Sequence, residues 1–232
     1  MREIVLDTET TGLEHELNHR IIEIGAVELN DHIPTGRHYH VYINPEREVD
    51  ARASEVHGMT YEMLKDKPVF AEIAEEFLAF VANAQLVIHN ASFDMGFINA
   101  ELSRLGKDPI SDDVVIDTLL MARQKFPGGQ ASLDALCRRF SIDNSNRDLH
   151  GALIDADLLA AVYIELIGGK QPDLMMGQAD KKPAPSSGQA EVKAKTTEPK
   201  PPRAFPALPE ELSAHQDFMK TIDNSIWAKY QN

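Results

Sequence analysis

The sequence opens with MREIVLDTETTG, residues 1–12, in which two carboxylates directly follow a short apolar run. The apolar run, residues 4–6, has the composition of a buried strand. Asp7 and Glu9 come next, and side chains two residues apart on a strand lie on the same face. Adjacent carboxylates repel each other and are costly to desolvate, and a divalent cation between them relieves both effects. An isolated pair of this kind is more often a polar surface turn, so the interpretation depends on acids elsewhere in the chain.

Two further acids and one histidine stand where they can join this pair. Asp94 lies in HNASFD, just after the apolar strand pattern QLVIH, at the strand end where α/β sheets build sites. Asp155 lies inside an otherwise apolar helical pattern, so its carboxylate needs a partner. Asp157 stands about 200° further round that helix and must face elsewhere. His150, five residues before Asp155, titrates near neutral pH.

Taken together, these side chains fit one metal centre. Carboxylate oxygens suit Mg²⁺ or Mn²⁺ rather than zinc. Four carboxylates in one cleft match two cations about 3.5–4 Å apart, an arrangement that clamps the attacking and leaving oxygens of a phosphodiester. Taken singly, Asp94 is equally an acid in the first turn of a helix, and His150 is an ordinary exposed histidine.

The remaining pattern predicts an α/β fold, with a mixed sheet flanked by helices. Residues 20–29 and 37–43 predict two strands joined by a long loop, and with the first strand they form a mostly antiparallel group. Residues 70–81 predict an amphipathic helix, and Ser92 is a candidate cap for the next one. Strands then alternate with helices, which is typical of a sheet covered on its faces.

The acidic charge is confined to the front of the chain. The net charge of the 232 residues is −14, and residues 1–170 hold 15 Lys and Arg against 29 Asp and Glu, whereas residues 171–232 hold eight of each. An acidic body repels polyanions, so action on a phosphodiester requires bound metal, a few placed donors, or a partner that delivers the substrate. The single cysteine, Cys137, excludes an internal disulfide, and the absence of a long apolar run predicts a cytoplasmic protein with no membrane partner.

Composition predicts three parts: an acidic globular domain over residues 1–170, a flexible linker over residues 171–207, and a docking segment over residues 208–232. The linker is rich in Pro, Ser, Gly, Lys and Ala without periodicity. The last segment regains aromatic residues such as Trp227 and Tyr230, which are frequent interface anchors. A disordered end with scattered apolar residues is the alternative.

The motifs DTETTG, HNASFD and His150-x4-Asp155, in this order, resemble those of the DEDD 3′–5′ exonucleases of the histidine subtype. The resemblance implies a ribonuclease H-like fold and two divalent cations, Mg²⁺ or Mn²⁺. It assigns Asp7, Glu9, Asp94 and Asp155 as the metal ligands and His150 as the general base.

The resemblance also implies contacts with a DNA 3′ end. The side chains that would lie along the terminal nucleotide, together with the ligands Asp7, Glu9 and Asp155, are Thr8, Gly12, His57 and Phe93. Arg52 is a candidate phosphate contact.

Within this family, a nuclease followed by a linker and a docking segment resembles the proofreading subunits of bacterial replicative DNA polymerases. The likeness implies that residues 208–232 bind the polymerase (alpha) subunit. It also makes QPDLMM, residues 171–176, a candidate sliding-clamp motif that lacks the usual Phe.

Two other functions stay open at this point. An RNA-trimming 3′–5′ exoribonuclease of the same family would use the same catalytic residues. A non-catalytic module that binds 3′ ends or tethers proteins belongs to another class, but it gains nothing from a desolvated cluster of acids.

Overall fold

The computed structural model describes residues 1–145, 149–168 and 209–220. The five strands are β1 Arg2–Thr10, β2 Ile21–Asn30, β3 Ile33–Tyr42, β4 Gln85–Ile88 and β5 Val115–Asp117. The α-helices are α1 Ala51–His57, α2 Tyr61–Leu64, α3 Phe70–Val81, α4 Ala91–Arg104, α5 Thr118–Lys125, α6 Leu133–Phe140, α7 Ala152–Leu166 and α8 Pro209–Lys220.

The strands form one mixed sheet in the order β3-β2-β1-β4-β5. β1 pairs antiparallel with β2 and parallel with β4, and β4 pairs parallel with β5. The predicted long loop between the second and third strands is wrong. β3 begins at Ile33, and the chain reverses at Asp31 and His32, which both have positive φ and so make a tight turn.

The side chains of β1 alternate between two hydrophobic cores. Ile4 and Leu6 pack on the face covered by α3 and α4, whereas Val5 packs on the face covered by α6 and α7. By the same alternation, Asp7 and Glu9 project toward the side of α7, and Thr8 projects toward α4. The carboxyl end of β1 is therefore flanked by one helix from each layer.

The start of α7 is fixed on β2 by a glycine and a buried acid. A Cβ added at Gly25 would collide with the backbone of Ala152 and Leu153. The buried Glu23 accepts a hydrogen bond from the Ala152 backbone N–H at 3.2 Å, which satisfies one of the free donors at the helix N-terminus. These contacts set the position of Asp155 one turn further along α7.

The chain divides into two compact units, residues 1–177 and 178–232. In the second unit the structure describes α8, on which Leu212 and Phe218 are exposed. The predicted linker (residues 171–207) and clamp motif (residues 171–176) lie outside the described residues, and the three-part division stays a prediction. Among the residues described, no helix is long and apolar enough to cross a bilayer.

Candidate active site

The acids singled out in the sequence converge on one cavity at the carboxyl ends of β1 and β4. This catalytic cavity measures about 680 Å³. Its wall includes Asp7, Glu9, Asp94, His150 and Asp155. Asp157 lines a separate cavity, as its angle on α7 predicts.

Glu9, His150 and Asp155 lie close enough to share one ion. Each offers a ligand atom, and these atoms all lie within 4.8 Å of one another. His150 Nδ1 lies 3.2 Å from Asp155 Oδ2. Asp155 is almost fully buried, whereas the His150 ring is 44% exposed, so the histidine stands at the mouth of the cluster where water can reach it.

Asp94 is held against β1 by two hydrogen bonds to a single residue. Its Oδ1 accepts from the Thr8 backbone N–H at 3.0 Å and from the Thr8 hydroxyl at 2.7 Å. These bonds favour the carboxylate, but burial outweighs them and raises the pKa of Asp94 to about 7. Thr8 therefore ties the α4 layer to the strand that carries the other acids.

Burial also raises the pKa of Glu9 to about 7, against an opposing effect from His150. The nearby carboxylates of Asp155, Glu23 and Asp94 add to the rise. Elsewhere the fold pairs its buried acids with cations: Glu101 receives two hydrogen bonds from Arg20, at 2.5 and 2.9 Å. Among the residues described, neither Glu9 nor Asp94 has an Arg or Lys within 4.0 Å. A divalent cation would supply the missing positive charge.

A second cavity of about 460 Å³ adjoins the first. It is called the terminal-nucleotide cavity because the residues predicted to contact the terminal nucleotide line it. Thr8, Glu9 and Phe93 line both cavities. The predicted substrate contacts Gly12, Arg52 and His57 line the second. The structure thus places every residue predicted for the DNA 3′ end on one of two adjoining cavities, although it does not test their roles.

His57 sits on the wall of the terminal-nucleotide cavity as a buried neutral ring. Its Nδ1 accepts from the Met59 backbone N–H at 3.1 Å, and burial lowers its pKa. Its Nε2 is buried without a hydrogen-bond partner among the described residues. A sugar hydroxyl would satisfy that nitrogen. Gly12 is required nearby, because a Cβ there would collide with the His19 ring.

Sequence reasoning missed one part of the wall of the catalytic cavity. His89, Asn90 and Arg123 line it. Asn90 has a left-handed backbone and precedes α4, so Ser92 is not the cap as predicted. The Asp117 carboxylate instead accepts from the Asn90 and Ala91 backbone N–H groups and caps α5. Only His89 and Asn90, inside the HNASFD motif, carried any signal in the sequence.

The donor set fits hard divalent cations. Asp7, Glu9, Asp94 and Asp155 offer carboxylate oxygens, which Mg²⁺, Mn²⁺ and Ca²⁺ prefer over imidazole nitrogen. A cation bound beside Glu9 and Asp94 would lower the pKa values that burial raises.

Comparison with known proteins agrees with this site. The sequence model of a family described as Exonuclease matches residues 4–163, a range that contains all five candidate catalytic residues. A solved structure of exonuclease X in complex with 5′-overhanging duplex DNA has a TM-score of 0.56 at 27% identity, and it covers 71% of this chain and 90% of that one. The fold and motifs together define a ribonuclease H-like exonuclease that depends on divalent metal.

Curated relatives narrow the class further. DNA polymerase III subunit epsilon of Rickettsia typhi is 55% identical over 179 residues, which cover 76% of this chain and 78% of that protein. The subunit of the same name from Rickettsia felis is 48% identical over 225 residues, which cover 96% and 97%. The chain therefore belongs to the DEDD exonuclease family of the histidine subtype and, within it, to the DNA polymerase III epsilon subunits.

Proposed function

We propose that this chain removes nucleoside monophosphates from the 3′ end of DNA as the proofreading subunit of a bacterial replicative polymerase. The observation that carries the proposal is the convergence of Asp7, Glu9, Asp94, His150 and Asp155 on one cavity. The adjoining cavity, of about 460 Å³, has a size suited to one small ligand such as a terminal nucleotide.

Asp7, Glu9, Asp94 and Asp155 would hold two divalent cations, Mg²⁺ or Mn²⁺. Such a pair lowers the pKa of water and neutralises charge on the phosphate. Thr8 keeps Asp94 in place through its two hydrogen bonds. The cluster binds ions only after its buried acids lose their protons, so metal affinity rises with pH.

His150 acts as the general base in this proposal. Its imidazole accepts a proton from the attacking water, whose oxygen forms a bond to the terminal phosphorus while the bond to the 3′ oxygen breaks. The 3.2 Å contact with Asp155 orients the ring. The products are a 5′-mononucleotide and a strand with a new 3′ hydroxyl.

The substrate and partners belong to the same proposal. The terminal nucleotide would lie against Thr8, Gly12, His57 and Phe93, with Arg52 near a phosphate, all of which line one cavity. Residues 208–232 would bind the polymerase alpha subunit, and residues 171–176 the sliding clamp. A cytoplasmic location follows from work on the bacterial chromosome.

The experiment compares 3′-labelled DNA primers with a matched or a mismatched terminus, alongside RNA of the same sequence. The proposal expects mononucleotide release in Mg²⁺, faster at the mismatch because a frayed end reaches the cavity as a single strand. Faster digestion of RNA would instead support the exoribonuclease. Binding without turnover, on any of these substrates, would support the non-catalytic module.

A further inference from the structure

The catalytic cavity carries one cation that the proposed mechanism does not use. Arg123, on α5, lines the cavity on the wall formed with His89 and Asn90. Its neighbour Ala122 is fully buried in the core, so the backbone that presents Arg123 is firmly held. The Arg123 side chain is exposed to solvent.

Arg123 is unusual because most cations of the described chain already have partners. Arg2, Arg20, Arg37 and Arg104 pair with buried glutamates. Across residues 1–145, 149–168 and 209–220, the arginines that make no ion pair, hydrogen bond or ring contact are Arg52, Arg123 and Arg138. Two of these three line the adjoining cavities, one in each. In a chain of net charge −14, an unpaired arginine on the lining of each of two adjoining cavities indicates an anionic ligand.

The charge of Arg123 affects the pKa of His89 on the same cavity wall. Burial is the main reason that the pKa of His89 is lowered, and the Arg123 guanidinium contributes to the same effect. His89 Nδ1 lies 2.9 Å from the Thr118 hydroxyl, so the ring is anchored to the start of α5. A hydrogen bond thus links the elements that form this wall, and the Arg123 side chain on it is exposed to solvent.

The linings of the two cavities differ, and the difference indicates how a DNA strand would lie across them. The terminal-nucleotide cavity is lined by apolar side chains such as Leu13, Leu17 and Val56, which suit a base and sugar. Glu9 and Thr8 line both this cavity and the catalytic cavity, whose wall holds the other candidate acids. If the terminal nucleotide fills the terminal-nucleotide cavity, the next nucleotide of the strand meets the catalytic cavity, whose lining includes Arg123.

We propose that Arg123 forms a phosphate-binding subsite for the strand upstream of the scissile bond, an inference that rests on the proposed function. A guanidinium presents a planar fork of donors that matches a phosphate, and it stays charged at any working pH. The subsite would hold the remaining strand during each step and would offset the repulsion of the acidic domain. It adds no chemistry to the bond that breaks.

The test compares Arg123→Gln with Arg138→Gln, the matched control. Arg138→Gln removes the same charge from helix α6, and Arg138 does not line the catalytic cavity. Two substrates are used: single-stranded oligothymidylate, and the p-nitrophenyl ester of thymidine 5′-phosphate, which has only the scissile phosphate. We expect Arg123→Gln to lower the ratio of kcat/KM for the oligomer to that for the ester by about tenfold, mainly through KM. Arg138→Gln leaves the ratio at the wild-type value.

Two further readouts locate the phosphate. Neutral methylphosphonate is placed at each of the three linkages upstream of the scissile bond in turn. At one linkage it should slow the wild-type enzyme but not slow Arg123→Gln further, since both changes remove the same contact. The slope of log kcat/KM against log salt concentration should become shallower by about 0.7 in Arg123→Gln.

The outcomes separate this subsite from the function on which it rests. An Arg123→Gln enzyme that matches Arg138→Gln, or that loses the same factor on both substrates, overturns the subsite. Additive losses at all three linkages also overturn it. A wild-type protein that digests neither substrate overturns the proposed function, and the subsite with it.

Discussion

Glu9 and Asp94 are partly and fully buried carboxyl groups, respectively, that have no Arg or Lys beside them in the part of the chain that the structure describes. Burial raises the pKa of each to about 7, and neither has an Arg or Lys within 4.0 Å among the described residues. The fold could have paired them, as it pairs Glu101 with Arg20. Leaving them unpaired lowers stability in the metal-free state, which is the usual condition of a site that binds an ion.

The raised pKa of Glu9 leads to a prediction about stability and pH. A carboxyl whose pKa is higher in the folded state binds its proton more tightly there. The contribution of Glu9 to the free energy of unfolding of the metal-free protein therefore falls as pH rises from about 4.5 to about 7. Tm in EDTA across pH 5–8 measures this. Glu9→Gln cannot ionise, so its Tm should fall less over this range than that of the wild type.

Added Mg²⁺ should reverse the effect. Its stabilisation of the wild type should grow from pH 5 to pH 8, because the ligands lose their protons over this interval. Parallel Tm profiles for wild type and Glu9→Gln in EDTA would show that Glu9 is not the titrating group.

His150 should matter for turnover and not for ion binding. We expect His150→Ala to lower kcat by about 10²- to 10⁴-fold, the usual contribution of a general base, while Mn²⁺ affinity by calorimetry changes little. His38→Ala, an exposed histidine on β3, is the control. If His150→Ala instead abolished Mn²⁺ binding, the imidazole would be a metal ligand, as its place within 4.8 Å of Glu9 and Asp155 allows.

The position of helix α7 on β2 decides where Asp155 points. Gly25 lets the helix backbone touch the strand, and Glu23 caps the helix. Gly25 and Glu23, which are not candidate catalytic residues, thus fix the position of the candidate residue Asp155.

We predict that Gly25→Ala lowers activity more than stability. The added methyl group must push the start of α7 outward, and a displacement near 1 Å can cost about 10² in rate. The loss of unfolding free energy should be about 1–3 kcal/mol, as for other overpacked sites. Kinetics and chemical denaturation measure the two effects.

Gly151→Ala is the matched control, because a Cβ there has its nearest neighbour at 4.0 Å. Gly151 is the residue before α7, so the substitution adds the same methyl group near the start of that helix, but without a collision. Equal losses of activity in Gly25→Ala and Gly151→Ala would show that helix displacement is not the cause.

The elements that could be predicted from the sequence are those specified by local patterns. The apolar run of residues 4–6 and the helical period of residues 70–81 are patterns of neighbouring residues, and both predictions are confirmed by β1 and α3. The turn at Asp31 and His32 was missed because His32 stands at the second turn position, where two-residue hairpin turns usually have Gly. The Glu23 cap on α7 joins residues 129 positions apart, which no local pattern records.

The site was predictable to a similar limit. Five acidic and imidazole side chains could be named because buried carboxylates are costly wherever they occur. The roles of Arg123 and Asp117 could not, since an exposed arginine and a helix cap have ordinary local sequences. Arg123 combines a place on the wall of the catalytic cavity with the absence of a partner among the described residues, and both features are visible only in three dimensions.

The whole chain combines an acidic nuclease unit with a separate second unit. Residues 1–177 contain the sheet, both cores and all candidate catalytic residues. A unit with such an excess of negative charge gains from a partner that holds DNA, and a tether would raise the local concentration of the nuclease.

Truncation after Gly177 should separate the two tasks. We expect residues 1–177 to digest short single-stranded DNA at the rate of the full chain, and to lose co-elution with the polymerase alpha subunit in gel filtration. The full chain run beside it is the control. Co-elution of the truncated chain would place the polymerase contact on the first unit instead.

The most direct test of the account is digestion of 3′-labelled single-stranded DNA by the wild type and Asp7→Asn, in EDTA and after addition of Mg²⁺. Asp7 lines the catalytic cavity, and Asn keeps its shape while removing the charge. The account predicts mononucleotide release only by the wild type, only with Mg²⁺, with Asp7→Asn slower by about 10³-fold or more. Turnover in EDTA, or near wild-type turnover by Asp7→Asn, would contradict the assignment of this cavity as a metal-dependent exonuclease site.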